Sequence, residues 1–303
     1  MSGLGRVGGM KKESRSGRSG GDGTHRELTI GLVQMAMDED HEANVSKAIG
    51  MIRKASEGGA RIVCLPELFA YRYFPQEKGA RVIPEPVPGP TTRRLSEAAR
   101  ESSVTLIGGS LYERAPGGRL YNTSVVFDER GRMLGKYRKV QVPQDESFYE
   151  KDYFSSGGAY NVFRTNPAKI GVLICFDQWY PEPARVNKLM GAEVLFYPTA
   201  IGSVEGIEET EGDWHEAWEA VQRGHAISNS MVVAAVNRVG REGRMSFWGG
   251  SFVCDQFGKV LARADGDEQV LLASCDLELG RQVEEGWGFM KNRKPATYRR
   301  LTS

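Results

Sequence analysis

The chain has 303 residues, 40% of them hydrophobic, which is enough to bury a substantial core. Its 40 Lys and Arg residues balance 39 Asp and Glu residues at a net charge of +1, so no global electrostatic footprint marks a nucleic-acid partner. There is no run of 18 apolar residues to span a bilayer and no apolar segment behind the basic N-terminus, so no membrane partner and a cytoplasmic location are expected.

Residues 1–25 are rich in Gly, Ser, Arg and Lys and nearly lack large apolar groups, a composition that cannot offset the entropy of ordering. They are expected to form a flexible tail ahead of a single domain over residues 26–303. From there the pattern alternates. Leu28 to Met35 reads as a strand, Glu42 to Glu57 as an amphipathic helix stopped by Gly58-Gly59, and Arg61 to Leu65 as a second strand, a βαβ unit. The second strand's apolar run ends at Glu67. A proline-rich loop over Pro84–Pro90, a helix near Thr92–Glu101 and strands at Val104–Ser110 and Asn122–Phe127 follow. Asp128-Glu129-Arg130-Gly131 then turns the chain into a further β segment, closed by Lys139.

The next apolar run, Ile170-Gly171-Val172-Leu173-Ile174, ends at Cys175, and a turn leads from it into a helix near Glu182–Met190. A strand at Val194–Tyr197, a long polar loop, a helix near His215–Ser228 and four strands between Met231 and Asp276 complete the pattern. About twelve strands and four or five helices, interleaved and without a tandem repeat, indicate an α/β protein with mixed sheets and helices outside.

A thiol at a strand's carboxyl end faces the rim where open α/β sheets place ligand crevices. A lone cysteine is more often a buried small hydrophobe, and a lone charge at a strand end is more often a solvated edge group. Here a carboxylate, an ammonium and a thiol recur at matching strand ends. Cys64, Cys254 and Cys275 lie inside β-like apolar runs and read as structural. With no C-x-x-C pair, the four cysteines give neither a zinc nor a disulfide signature, and a resolving partner for thiol redox chemistry is missing.

Each group has a chemical task. A thiol with a pKa near ~8.5 is mostly protonated at neutral pH, so an amide-cleaving cysteine needs a base beside it. Glu67 is the candidate, because a carboxylate gains basicity on burial and Pro66, Leu68 and Phe69 surround it with apolar groups. Lys139 is the candidate to stabilise the oxyanion of a tetrahedral intermediate.

Glu67, Lys139 and Cys175, in this order and in these contexts, resemble the catalytic triad of the nitrilase superfamily of carbon–nitrogen hydrolases. The likeness runs from about Leu28 to about Asp276. It implies a four-layer α-β-β-α sandwich with two mixed sheets, a thioester intermediate, no metal or organic cofactor, and assembly into homo-oligomers. It also implies a role for Glu150, in Phe148-Tyr149-Glu150-Lys151, in orienting Lys139. Gln141 departs from the pattern, since many relatives have histidine two residues after the lysine.

Within the superfamily, Cys175-Phe176-Asp177-Gln178-Trp179-Tyr180-Pro181-Glu182 and Gly191 to Ser203 resemble the branch that hydrolyses N-carbamoylputrescine. The loop after Ser203 carries Glu205, Glu208, Glu209, Glu211 and Asp213, with no basic residue before His215, and would favour a cationic ureido or amide substrate. The branch implies Glu205, or failing it Glu208, as the contact for a distal amine. Phe176, Trp179, Tyr73, Tyr71 and Trp248 are candidate pocket walls. The rival readings are a β-ureidopropionase or omega-amidase, which would bring a basic pocket, and a catalytically idle scaffold, which the intact triad opposes.

Overall fold

The computed structural model describes residues 26–207 and 209–302, so the expected tail and Glu208 lie outside the described residues. Strand β1 (Glu27–Gln34) leads through helix α1 (His41–Glu57) to β2 (Ile62–Cys64), then through α2 (Pro90–Ser102) to β3 (Thr105–Ile107). An antiparallel run follows: β4 (Leu111–Arg114), β5 (Leu120–Phe127) and β6 (Met133–Arg138). Next come β7 (Val162–Arg164), β8 (Lys169–Val172), α3 (Pro181–Leu189), β9 (Val194–Pro198), β10 (Gly202–Val204) and α4 (Trp214–Asn229). The last elements are β11 (Val232–Val236), β12 (Val239–Glu242), β13 (Met245–Trp248), β14 (Phe252–Cys254), β15 (Val260–Arg263), β16 (Gln269–Asp276) and α5 (Glu278–Trp287).

Two mixed sheets share one plan. In the first, parallel strands β1, β2 and β3 form the centre, flanked by antiparallel β16 on one side and β5 on the other. In the second, parallel β8, β9 and β11 form the centre, flanked by antiparallel β7 and β14. A third, three-stranded antiparallel sheet of β10, β13 and β12 was not expected.

Period-two alternation explains the layering. Ile30 and Leu32 of β1 and Ile62 and Cys64 of β2 belong to the core shared with Ile170, Val172, Val194 and Phe196 of the second sheet. Their neighbours Val33 and Val63 face the other way, into a core with Val45, Ala48, Ile52 and Ala55 of α1 and Leu95 of α2. Each fully buried Leu or Ile here contributes roughly 1.5–3 kcal/mol. The apolar positions of α1 recur at three and four residues, and Asp40 caps the helix by accepting from the Glu42 amide. Close approach of α1 needs Gly31, where a Cβ would lie 3.0 Å from the Cβ atoms of Ala55 and Ala60. Helices α3 and α4 pack together, with α4 against β11, giving the α-β-β-α order.

Lys139 follows β6 directly, while Glu67 and Cys175 each lie three residues past their strand, β2 and β8 respectively. Among the described residues no helix is long and apolar enough to cross a membrane.

Candidate active site

The structure brings Glu67, Lys139, Glu150 and Cys175 together between the two sheets. Glu67, Lys139 and Glu150 are fully buried, and Cys175 is 9% exposed. Lys139 Nζ donates to Oε1 of Glu67 at 2.8 Å and to both oxygens of Glu150, at 2.8 and 2.7 Å. Asn122 of β5 supports the pair twice. Its Nδ2 donates to Oε1 of Glu67 at 2.8 Å, and its carbonyl accepts the Lys139 amide at 2.9 Å. Oε2 of Glu67 is buried with no hydrogen-bond partner among the described residues, an acceptor held open.

Burial lowers the proton affinity of Lys139, but Glu150 and Glu67 outweigh it and keep the ammonium charged. Burial pushes Glu150 up, against the pull of Lys139. The Cys175 thiol is also pushed up, first by burial and then by the negative charge of Glu67, with Lys139 opposing. Both effects favour the neutral thiol.

The backbone at Cys175 is strained. Cys175 has φ +43°, a left-handed value that non-glycine residues seldom adopt. Asp177 holds the turn: Oδ2 accepts the Ile174 amide at 2.9 Å and the Tyr137 hydroxyl at 2.7 Å, and Oδ1 accepts the Gln141 amide at 2.9 Å. The Cys175 turn is thus tied to the segment that carries Lys139. Gln141, where the family pattern has histidine, contributes this contact through its main chain.

Cys175 and Glu150 open onto a cavity of about 740 Å³. Phe176 and Trp179, two expected wall residues, line it, together with Phe148, Tyr180 and Trp214, which sequence reasoning missed. Tyr73 is elsewhere: it is buried, and its hydroxyl donates to Oε1 of Glu150 at 2.7 Å. Tyr71 packs against His41 and Phe74, and Trp248 against His215, away from the cavity lining.

Glu205 is not brought to the cavity. Its carboxylate is 65% exposed and pairs with Arg241, while Arg244 donates to its carbonyl at 2.8 Å and also pairs with Glu146. The hairpin of β12 and β13 thus supplies the basic residues that the acidic loop lacks in its own sequence. Among the described residues, the charged groups lining the cavity beyond Glu150 are Asp145 and Lys151.

A buried thiol on a strained turn, beside a Glu–Lys–Glu cluster between two mixed sheets, is an arrangement of the nitrilase-type hydrolases. The chain belongs to the carbon–nitrogen hydrolase family, whose model matches residues 29–285. It is 37% identical to an N-carbamoylputrescine amidase of Arabidopsis thaliana over 92% of this chain and 97% of that protein. It is 35% identical to a citrullinase of Francisella tularensis, over 89% and 96%. The crystal structure of a carbon–nitrogen hydrolase from Helicobacter pylori superposes with a TM-score of 0.84 at 34% identity, covering 91% of this chain and 99% of that one.

Proposed function

We propose that the protein hydrolyses the ureido group of N-carbamoylputrescine, giving putrescine, carbon dioxide and ammonia. The observation that carries the chemistry is the partnerless Oε2 of Glu67, buried beside the Lys139 ammonium and the neutral Cys175 thiol. The similarity to N-carbamoylputrescine amidases over nearly the whole chain favours the substrate.

In the first half-reaction Cys175 Sγ bonds to the ureido carbon as its proton passes to Glu67. The carbonyl π electrons move to oxygen, and the positive charge of Lys139 stabilises the resulting oxyanion. Collapse of the tetrahedral species breaks a C–N bond, and the leaving nitrogen takes the proton back from Glu67 as ammonia or amine. A thioester remains on Cys175. Glu67 then draws a proton from water, whose oxygen attacks the thioester carbon, and the proton returns to sulfur as the C–S bond breaks. The carbamic acid released then breaks its remaining C–N bond, its hydroxyl proton passing to that nitrogen, and yields carbon dioxide and the second amine. Glu150 holds Lys139 in place throughout.

A second ureide fits one observation. Asp145 and Lys151 both line the cavity, and the opposite charges of an α-amino acid would match them. Citrulline, the substrate implied by the name of the Francisella relative, carries such a group on a ureido chain.

Ammonia release from N-carbamoylputrescine, citrulline, N-carbamoyl-β-alanine and glutamine, measured side by side, tests the proposal. Preference for N-carbamoylputrescine, lost in Cys175→Ala, supports it. Preference for citrulline moves the assignment to the second reading, and turnover of N-carbamoyl-β-alanine or glutamine alone overturns both.

A further inference from the structure

Arg238 follows β11 by two residues and is fully buried, yet neither the triad nor the cavity lining includes it. Its guanidinium forms an ion pair with Glu242 at 2.8 Å, with side-chain exposures of 0% and 2%. Its other hydrogen bonds from the guanidinium go to one short stretch of backbone, and its plane lies over the Phe247 ring at 5.1 Å. Nη2 donates to the carbonyls of Glu67 at 2.7 Å and Leu68 at 3.0 Å, and Nη1 donates to that of Tyr71 at 3.3 Å. Glu242 completes the set by accepting the amide of Tyr73.

We infer that the Arg238–Glu242 pair is a positioning unit for the catalytic base, fixing the backbone of residues 67–73 so that Glu67 meets Cys175 in attacking geometry.

Three arguments support this. Leu68, next to the base, has φ +47°, a conformation that costs on the order of 1–3 kcal/mol and persists only where surroundings impose it. Arg238 holds its carbonyl, and Ser110 Oγ accepts its amide at 2.9 Å, so both sides of the strained residue are fixed. Secondly, burying two charges is costly, and apolar side chains of similar size are often as stable or more so, so the pair is poorly explained by stability alone. Thirdly, the same stretch begins at Glu67 and ends at Tyr73, whose hydroxyl binds Glu150. One pair therefore sets the main chain of Glu67 and of Tyr73, the first a carboxylate that binds Lys139 and the second a donor to the other.

A planar fork reaching two adjacent carbonyls and a carboxylate is a geometry that lysine cannot reproduce. The inference rests on Glu67 as the base, so the test includes a readout independent of substrate: alkylation of Cys175 by iodoacetamide, located by mass spectrometry. For Arg238→Lys, alkylation and kcat are expected to fall at least about tenfold with KM changed less than about threefold, a loss carried by the chemical step. Melting temperature and far-ultraviolet circular dichroism measure the folded fraction. Should Arg238→Lys not fold, Glu242→Gln carries the same test with the same direction expected. A folded variant that alkylates and turns over at the wild-type rate overturns the inference, as does a loss that merely follows the folded fraction. Glu67→Gln separates the two readings. If it alkylates at the wild-type rate the base assignment fails, whereas slow Glu67→Gln beside fast Arg238→Lys refutes the positioning role alone.

Discussion

The Tyr73 hydroxyl donates to the same Oε1 of Glu150 that accepts from Lys139, so a phenol and an ammonium converge on one buried oxygen. Burial pushes Glu150 up to about 7, and the Tyr73 bond works against that rise. Removing a donor from a carboxylate disfavours its charged form and raises its pKa further. Tyr73→Phe is therefore expected to move the acid limb of the kcat/KM profile upward by about half to one pH unit, with a loss that is largest below neutrality. A pH–rate profile checks this, and an unchanged acid limb counts against a charged Glu150 in the working enzyme.

Cys175→Ala should abolish turnover while leaving the fold intact, because it removes one small atom from a site that is already almost closed. Glu67→Gln should lower kcat by about a thousandfold, the scale of losing a general base. Single-turnover release of ammonia measures both, and appreciable turnover by Cys175→Ala would remove the thioester from the mechanism.

Gly109 supports the base from beneath. It has φ +55°, and a Cβ there would lie 2.1 Å from the Pro66 carbonyl oxygen. Gly109→Ala must displace the loop that carries Glu67, at a cost of roughly 1–3 kcal/mol. The expected result is a melting temperature lower by several degrees and a larger proportional fall in kcat, read by calorimetry and by initial rates.

Glu113 sets a limit on acid stability. Burial alone would raise its pKa, but Arg138, Lys136 and Thr123 donate to it and hold it down at about 2. A carboxylate lower in the folded than in the unfolded chain contributes stability above the unfolded value of about 4.5, and loses it as pH falls toward 2. Glu113→Gln should thus flatten the decline of melting temperature between about pH 4.5 and 2, where the wild type loses up to about 3 kcal/mol. Thermal melts across that range decide it.

Glu205→Gln is expected to change KM for N-carbamoylputrescine by less than about twofold, since its carboxylate is exposed and already paired with Arg241. Asp145→Asn, inside the cavity, should raise that KM by about tenfold. Steady-state kinetics on both variants locate the group that meets the distal amine.

The apolar runs of β2 and β8 made Glu67 and Cys175 legible, because a reactive group just past a buried strand is conspicuous. Arg238 carries the same signal: it follows Val232-Val233-Ala234-Ala235-Val236, and the criterion that found Glu67 would have found it. Its role is hidden because it reaches the base through backbone carbonyls and lines no part of the cavity. The third sheet was hidden for another reason. Its strands are three or four residues long and include Gly202, Gly240, Arg241 and Glu242, so neither length nor alternation marks them as strands. Tyr73 illustrates a further limit: an aromatic ring announces apolar bulk, and its hydroxyl's partner, 77 residues away, is set by tertiary packing alone.

The matched plan of the two mixed sheets bears on how the molecule acquires activity. Glu67 and Lys139 hang from the first sheet and Cys175 from the second, and 72 residues separate the base from the lysine that binds it. Loop closure over such distances comes late in a chain rich in non-local pairings. Neither sheet carries a working set, so catalytic competence is born only when the halves dock. Recovery of turnover after dilution from denaturant will then trail recovery of helical signal, and the enzyme will report the completion of its own assembly.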